Sequence, residues 1–184
     1  MRRIAIAVAA LLAVGLMASP ALAQNAHLKG RNPISFTDNG LTLTATVSYA
    51  GLGNFDTLQV LDATANPTAT CTNPAGATQP PGQNPAEADV TGATPVAAGD
   101  IKNGNVTITT TTDPPVTPIP GAPDCPNRRW TETITDMAFT SATISLFQDS
   151  NADGNFDSGE LVLTVSCTFS SPTSDGSVSG FTCS

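Results

Sequence analysis

The chain alternates between apolar and polar side chains over several stretches, and this pattern predicts β-strands. Residues 41–49 place Leu, Ala, Val and Tyr at odd positions and Thr or Ser at even ones, and residues 161–169 largely repeat the alternation. A period of two turns one face of a strand toward a core and the other toward water. Shorter runs predict further strands at 57–63, 67–72 and 106–109, and one long or broken strand pair over 130–147.

Turn residues separate these runs and set the fold class. The dipeptides Asn39-Gly40 and Asn103-Gly104 are typical of hairpin turns, because both residue types tolerate positive φ. Gly, Pro and Asn interrupt every helical window, so we expect no amphipathic helix. Short strands with frequent turns predict an all-β fold, an antiparallel immunoglobulin-like β-sandwich.

Two long connections rich in Pro interrupt the strand pattern. The first spans residues 73–86 and the second spans residues 113–129. Cys71 precedes the first connection and Cys125 lies in the second. A disulfide between these two cysteines would attach both connections to the sandwich.

The N-terminal segment has the features of a secretory signal peptide. Arg2 and Arg3 precede an apolar run over 4–18, and Ala21-Leu22-Ala23 is the expected cleavage site. A membrane anchor is the alternative, but the apolar run is short for a membrane span, and the small residues that follow it favour cleavage. Cleavage leaves 161 of the 184 residues, 24–184, as one domain whose last part, 170–184, is a polar disulfide-tethered tail.

Charge limits the partners that we expect. Without Arg2 and Arg3 the seven basic residues fall to five, against 15 acidic residues. An excess of ten negative charges disfavours nucleic acid and anionic membranes and attracts divalent cations. We therefore expect an extracellular protein or a cell-surface ligand as partner, no membrane span after cleavage, and a monomer.

Four cysteines in the exported part predict two disulfides, and three pairings are open. Of the three pairings, Cys71–Cys125 with Cys167–Cys183 requires the simplest geometry, and we favour it. Cys167 shares the parity of Leu163 and Val165, so its sulfur should face the core. No Cys-x-x-Cys occurs and the chain has a single histidine, which argues against a zinc site.

The sequence DSNADGNFDSGE, residues 149–160, matches the calcium-loop pattern D-x-[DN]-x-[DN]-G-x₅-E. Calcium prefers six to eight oxygen ligands, with a bidentate carboxylate closing the loop and glycine at the sharp turn. Gly154 occupies that turn position. The predicted Ca²⁺ ligands are Asp149, Asn151, Asp153, Asn155 through its backbone carbonyl, Asp157 and Glu160.

The alternative for this segment is an ordinary solvated hairpin loop. Four carboxylates in one loop argue against it, because each close pair of like charges costs about 1 kcal/mol even in water. The loop stands alone, whereas EF-hands usually occur in pairs, so we expect weak binding at about 10⁻⁴–10⁻³ M. The expected role is structural: the ion would order the connection and fix the register of strands 142–148 and 161–169.

Several motifs resemble a group of small secreted bacterial β-sandwich proteins without an assigned function. They are TDNGLTLTATVSYAGLGN, CTNPAG, PGQNP, IKNGNVT, CPNRRW and ITDMAFTSATISLFQ, within residues 34–148. The resemblance implies a fold rather than an activity, and it implies a tight hairpin where this chain has the acidic loop. The last cysteine pair also departs from it. Locally, the loop resembles calcium-binding loops between strands in the B-type repeats of bacterial adhesins.

The sequence offers little for catalysis. His27 lies close to the expected new N-terminus, and we expect it on the surface. Glu132 alternates with Trp130 and Ile134 and is the one plausible partly buried acid of a hydrolase. Trp130 is expected to be a core tryptophan near the disulfide, and the alternative is a binding patch with Arg128 and Arg129.

These observations predict a secreted, calcium-stabilised, non-catalytic extracellular binding or structural module. The alternative from another class is a small secreted hydrolase, or a hydrolase inhibitor that presents the Pro-rich loop over 113–127. We predict no catalytic residues and no cofactor other than Ca²⁺.

Overall fold

A computed structural model of the protein describes residues 25–118 and 125–184. The predicted signal peptide, 1–23, lies outside the described residues, as does the middle of the second Pro-rich connection. Within the described ranges there is no α-helix, and two 3-10 turns span Ala98–Asp100 and Ser158–Glu160. The strands in these ranges are β1 (His27–Leu28), β2 (Ile34–Asp38), β3 (Leu43–Ala50), β4 (Thr57–Thr72), β5 (Thr78–Gln79), β6 (Ala88–Val96), β7 (Val106–Thr111), β8 (Thr131–Gln148), β9 (Leu161–Phe169), β10 (Gly176–Ser177) and β11 (Phe181–Cys183).

The strands form two antiparallel sheets. In the first sheet, β3 pairs with β2 and β1 and also with β7, and β10 pairs with the outer side of β2. In the second sheet the order is β11-β9-β8-β4, and both β5 and β6 pair with β4. The chain is therefore all-β, with the two-sheet organisation of a β-sandwich.

Side chains from both sheets form one core. Leu43, Ala45, Val47 and Tyr49 of β3 are all fully buried, as the alternation predicts. They belong to the same cluster as buried residues of the second sheet. These second-sheet residues include Leu61, Met137, Phe139, Ile144 and Leu146.

A polar chain of hydrogen bonds crosses this core. The Tyr49 hydroxyl donates to Gln59 Oε1 at 2.6 Å, and Gln59 Nε2 donates to Thr110 Oγ1 at 2.8 Å. All three residues are 0 % exposed. Because buried polar groups must find partners, these hydrogen bonds fix how β3 and β7 of one sheet lie over β4 of the other.

The structure confirms the strands predicted by alternation and corrects two details. The predicted segment 130–147 is one strand, β8, from residue 131 onward, and the two pieces predicted at 57–63 and 67–72 are one strand, β4. β4 shifts register against β8 at Thr64/Ala65 and again at Thr68/Ala69, so Pro67 lies between two bulges. On the other side of β4 the β6 pairing ends at Ala65, so residue 67 needs no ladder hydrogen bond there.

Strands β2 and β6 were missed by the alternation analysis. The predicted hairpin turn at Asn103-Gly104 is confirmed, with φ of 51° and 72°. Asn103 is one of two positive-φ residues other than glycine in the described ranges. In the first Pro-rich connection, β5 forms a short hairpin with Cys71 and Thr72.

Both predicted disulfides are present. Cys71 bonds to Cys125, with 5.6 Å between their Cα atoms, and Cys167 bonds to Cys183, with 4.1 Å between theirs. Cys167 is 1 % exposed, which confirms its coreward direction. Two disulfides indicate an oxidising environment such as the extracellular space.

Candidate metal centre

The predicted calcium loop connects two neighbouring strands of the second sheet. β8 ends at Gln148 and β9 begins at Leu161, and between them only Asp149, Glu160 and the half-buried Phe156 are shielded from solvent. Asp149 and Glu160 are each 5 % exposed. The loop therefore buries one carboxylate at each end and exposes most of its middle.

The first half of the loop turns around Asp149, whose carboxylate accepts hydrogen bonds from backbone amides. Its Oδ1 accepts from the Asp153 N–H at 3.1 Å and its Oδ2 accepts from the Gly154 N–H at 2.9 Å. Asn151 Oδ1 also accepts from the Asp153 N–H, at 2.8 Å. Gly154 has a φ of 79° and Ala152 one of 59°, so the sharp turn lies where the calcium pattern predicts it.

Glu160 closes the loop onto its own beginning. Its Oε1 accepts from the backbone N–H groups of Ser150 at 2.9 Å and Asn151 at 3.3 Å. Its Oε2 accepts from the Asp157 N–H at 3.4 Å, while Asp157 Oδ1 accepts from the Gly159 N–H at 2.7 Å. This reciprocal capping holds the Ser158–Glu160 turn and brings the closing carboxylate beside the first residues of the loop.

The donor chemistry fits a hard divalent cation. The predicted ligands offer only oxygen atoms, and residues 149–160 contain no Lys, Arg or His that would neutralise the four carboxylates. In this conformation the carboxylates accept backbone N–H groups. Within the described ranges, no three His, Cys, Asp or Glu side chains converge closely enough to hold a metal ion.

The other candidate residues do not come together into one site. His27 is exposed on β1, with its Nδ1 2.6 Å from the Asn25 carbonyl. Glu132 is 3 % exposed on β8, directly opposite Cys71 of β4. Arg128 and Arg129 are exposed. Trp130 is half-buried immediately before β8 and lies outside the core cluster, so the prediction of a core tryptophan is wrong.

The sequence analysis missed an acidic cluster that three distant segments form together. Asp38 of β2 is 2 % exposed, and Asp136 of β8 and Asp175 of the tail act on its charge. Burial raises the pKa of Asp38, hydrogen bonds from Thr173 and Gly40 lower it, and the two neighbouring carboxylates raise it further. The three residues are far apart in sequence, so no local motif could have identified them.

None of the described residues forms a helix with the length and apolar character that crossing a membrane requires. No protein-family model, no curated protein and no solved structure matches this chain.

Proposed function

We propose that the protein is a secreted, calcium-stabilised module that binds an extracellular partner or has a structural role, without catalysis. The observation that carries this proposal is the 149–160 loop, in which Asp149 and Glu160 are buried at the two ends without a basic residue in the segment. The two disulfides and the predicted signal peptide support secretion.

Calcium would be held by Asp149, Asn151, Asp153, Asp157 and Glu160, with the backbone carbonyl of Asn155. When bound, its two positive charges would offset half of the negative charge of the four carboxylates in this loop. At a free calcium concentration between one and ten times a weak dissociation constant, binding adds about 0.4–1.5 kcal/mol of stability. This magnitude suits a structural ion that secures the β8–β9 connection.

Thermal unfolding tests the calcium proposal. We expect calcium, compared with a chelator, to raise the Tm of the wild type by about 1–6 °C. Glu160→Gln should abolish this calcium-dependent shift, because the closing ligand loses its charge and one oxygen. The exposed Glu87→Gln is the matched control and should keep the shift. Identical melts with calcium and chelator in the wild type would refute the proposal.

We also propose immunoglobulin-like topology for the sandwich. What supports it is the strand order: β2, β3 and β7 adjoin in one sheet, and β6, β4, β8 and β9 adjoin in the other. The chain therefore crosses between the sheets from β3 to β4, from β6 to β7 and from β7 to β8. This corresponds to strands A, B and E facing strands C′, C, F and G.

The partner is proposed to be an extracellular protein or a cell-surface ligand, bound by a monomer. The acidic excess of the exported chain disfavours nucleic acid. A binding assay of labelled mature protein on cells of its own source tests this: binding should saturate and should be displaced by unlabelled protein. Binding that never saturates would argue against a specific partner.

One observation favours a second candidate, a hydrolase inhibitor that presents the loop over 113–127. Val116 is 79 % exposed, and the loop begins beside the buried Thr112 and is tied at Cys125 to β4. An exposed apolar side chain on a tethered loop is the feature that an inhibitor would offer to an enzyme pocket. A protease inhibition screen with wild type and Val116→Asp tests this, and inhibition equal in both would exclude Val116 as the contact.

The hydrolase form of this alternative depends on Glu132. A hydrolase that uses this acid should lose activity in Glu132→Gln. If activity is detected and that variant keeps it, Glu132 is not the catalytic acid.

A further inference from the structure

One side of the sandwich has an open strand edge in each sheet. In the first sheet, β10 pairs with the outer side of β2 only at Thr37 and Asp38, at the end of that strand. In the second sheet, β11 is the outermost strand and pairs with β9 on one side. Among the strands of residues 25–118 and 125–184, none pairs with the other side of β11. Both sheets can therefore accept a further strand on this side.

The hydrogen bonds of β11 show which of its backbone groups point outward. Ser184 exchanges two backbone hydrogen bonds with Ser166 beside β9, each at 2.9 Å. In an antiparallel ladder only every second residue bonds to its neighbour in this way, and the residues between them point their N–H and C=O groups to the opposite side. Phe181 and Cys183 have the other parity, so their backbone groups face the open edge.

The same parity argument applies to β2. The Pro33 carbonyl accepts from the Ser48 N–H of β3 at 2.9 Å, so the backbone groups of Ile34 point away from β3. Phe36 has the same direction, and its carbonyl accepts from the Val178 N–H at 3.0 Å. The segment that follows β10 thus covers the edge of β2 at residue 36, and the edge is open again at residue 34.

A groove of about 580 Å³, here called the edge groove, lies between these two open edges. Ile34, Leu28, Val178 and Phe181 line it, and all four belong to the core cluster or pack against it. Arg31 is exposed and is the one charged residue among the lining residues that the structure describes. The edge groove therefore combines outward backbone groups, an apolar base and a single positive charge.

Positive charge lies beside the edge groove in a chain that is otherwise acidic. Lys29 is exposed and precedes Arg31 by two residues, so two of the five basic residues of the exported chain occur here. Opposite charges across an interface steer association and select partners. The edge groove therefore favours a ligand that carries a carboxylate.

We propose that the edge groove binds an extended segment of an extracellular protein as an added β-strand, with an acidic side chain of that segment beside Arg31. The segment pairs with the outward groups of Phe181 and Cys183, and its other side faces Ile34 of β2. Its alternate apolar side chains contact the apolar base of the groove. In this mode of recognition main-chain hydrogen bonds provide affinity, and alternate side chains provide specificity. The inference rests on the proposed function, because it names the partner chemistry of the binding module.

Panning of a random peptide library on the immobilised mature protein tests the proposal. The peptides are about eight residues long, within the usual length of a strand. We expect enriched sequences to alternate apolar residues and to share an Asp or Glu at one position. In NMR experiments a synthetic enriched peptide should slow hydrogen exchange of the Phe181 and Cys183 amides, because these N–H groups become donors to the added strand.

Charge reversal tests the role of Arg31. Arg31→Glu should weaken binding of the enriched peptide by at least about fivefold, because repulsion replaces attraction. A peptide whose shared acidic residue is replaced by Lys should bind this variant better than it binds the wild type. Lys102→Glu is the matched control: it makes the same change of charge at an exposed residue outside the groove lining, and it should keep the wild-type affinity.

Three results would overturn the proposal: no peptide is enriched, Arg31→Glu binds the enriched peptides as tightly as the wild type, or binding leaves the Phe181 and Cys183 amides unprotected. Sedimentation gives a fourth, a dimer of the mature protein that Arg31→Glu dissociates, because a second copy would then occupy the groove. The cell-binding assay separates these failures from failure of the proposed function. Saturable binding to cells that is unchanged in Arg31→Glu would keep the binding module and reject the edge groove.

Discussion

At the scale of single residues, the hydrogen bonds of Tyr49, Gln59 and Thr110 bear directly on stability because they are buried. Each is fully buried, and each depends on the next for a partner. Burial also raises the pKa of Tyr49, which keeps its hydroxyl a donor over the whole ordinary pH range. A core that contains these hydrogen bonds tolerates less repacking than a core of hydrocarbon side chains alone. If one sheet moved relative to the other, buried polar atoms would lose their hydrogen-bond partners.

Tyr49→Phe tests this chain. We expect the free energy of unfolding to fall by about 1–3 kcal/mol, because Gln59 Oε1 stays buried without its donor. Urea denaturation at constant pH measures the change. The matched control is Thr46→Val, which removes a hydroxyl from the solvent-facing pair with Thr109 and should change stability by less than about 0.5 kcal/mol. Equal effects of the two substitutions would contradict the assignment.

At the scale of elements, strands β6 and β7 belong to different sheets, and their backbones approach each other closely. The Asp113 N–H donates to the Thr91 carbonyl at 2.8 Å, and a Cβ on Gly92 would lie 2.1 Å from the Thr111 carbonyl oxygen. A side chain at residue 92 would therefore have to push β7 away. Glycine at this position is required by the close approach and not by its φ.

Gly92→Ala should lower the free energy of unfolding by about 1–3 kcal/mol, as overpacking does in a close-packed interior. Gly99→Ala is the control, since a Cβ there meets nothing within 4 Å. That substitution should be neutral or slightly stabilising. Thermal or chemical unfolding of the two variants side by side checks this, and a neutral Gly92→Ala would show that β6 and β7 can separate without cost.

At the scale of the whole molecule, the two disulfides differ in how much chain they enclose. Cys71 and Cys125 are 54 residues apart, and Cys167 and Cys183 are 16 residues apart. Each pair has one fully shielded partner, Cys71 at 0 % and Cys167 at 1 % exposure. Replacing either pair therefore removes one buried sulfur atom, and the main remaining difference is the length of the closed loop.

Replacement of Cys71 and Cys125 by Ala should cost about 1 kcal/mol more than replacement of Cys167 and Cys183 by Ala. The longer closed loop removes more conformational entropy from the unfolded chain. Denaturation of both double variants under identical conditions measures the difference. The opposite order would mean that contacts of the C-terminal segment 170–184, and not chain entropy, determine how much the Cys167–Cys183 disulfide stabilises the fold.

The limits of prediction from sequence can be traced to particular elements. Alternation identified β3, β7, β8 and β9 because most of their inward positions are apolar. It missed β6, whose sequence includes Gly92 and Pro95, because that strand is held by pairing with β4 and by the close approach to β7. It divided β4 near Pro67 because a proline inside a strand is normally a break, and only the two bulges make it acceptable there.

The sequence by itself determined the local features: the strand period, the positive-φ turn at Asn103-Gly104, the acidic ligand pattern of residues 149–160, and cysteine spacings compatible with two disulfides. Apart from the cysteines, whose pairs are 54 and 16 residues apart, each depends on residues that are neighbours along the chain. Tertiary structure alone decided which strands adjoin, that Tyr49 reaches Gln59 and Thr110 in the core, and that Asp38, Asp136 and Asp175 meet around Gly40. These features arise from desolvation and packing between distant segments, which no local pattern records.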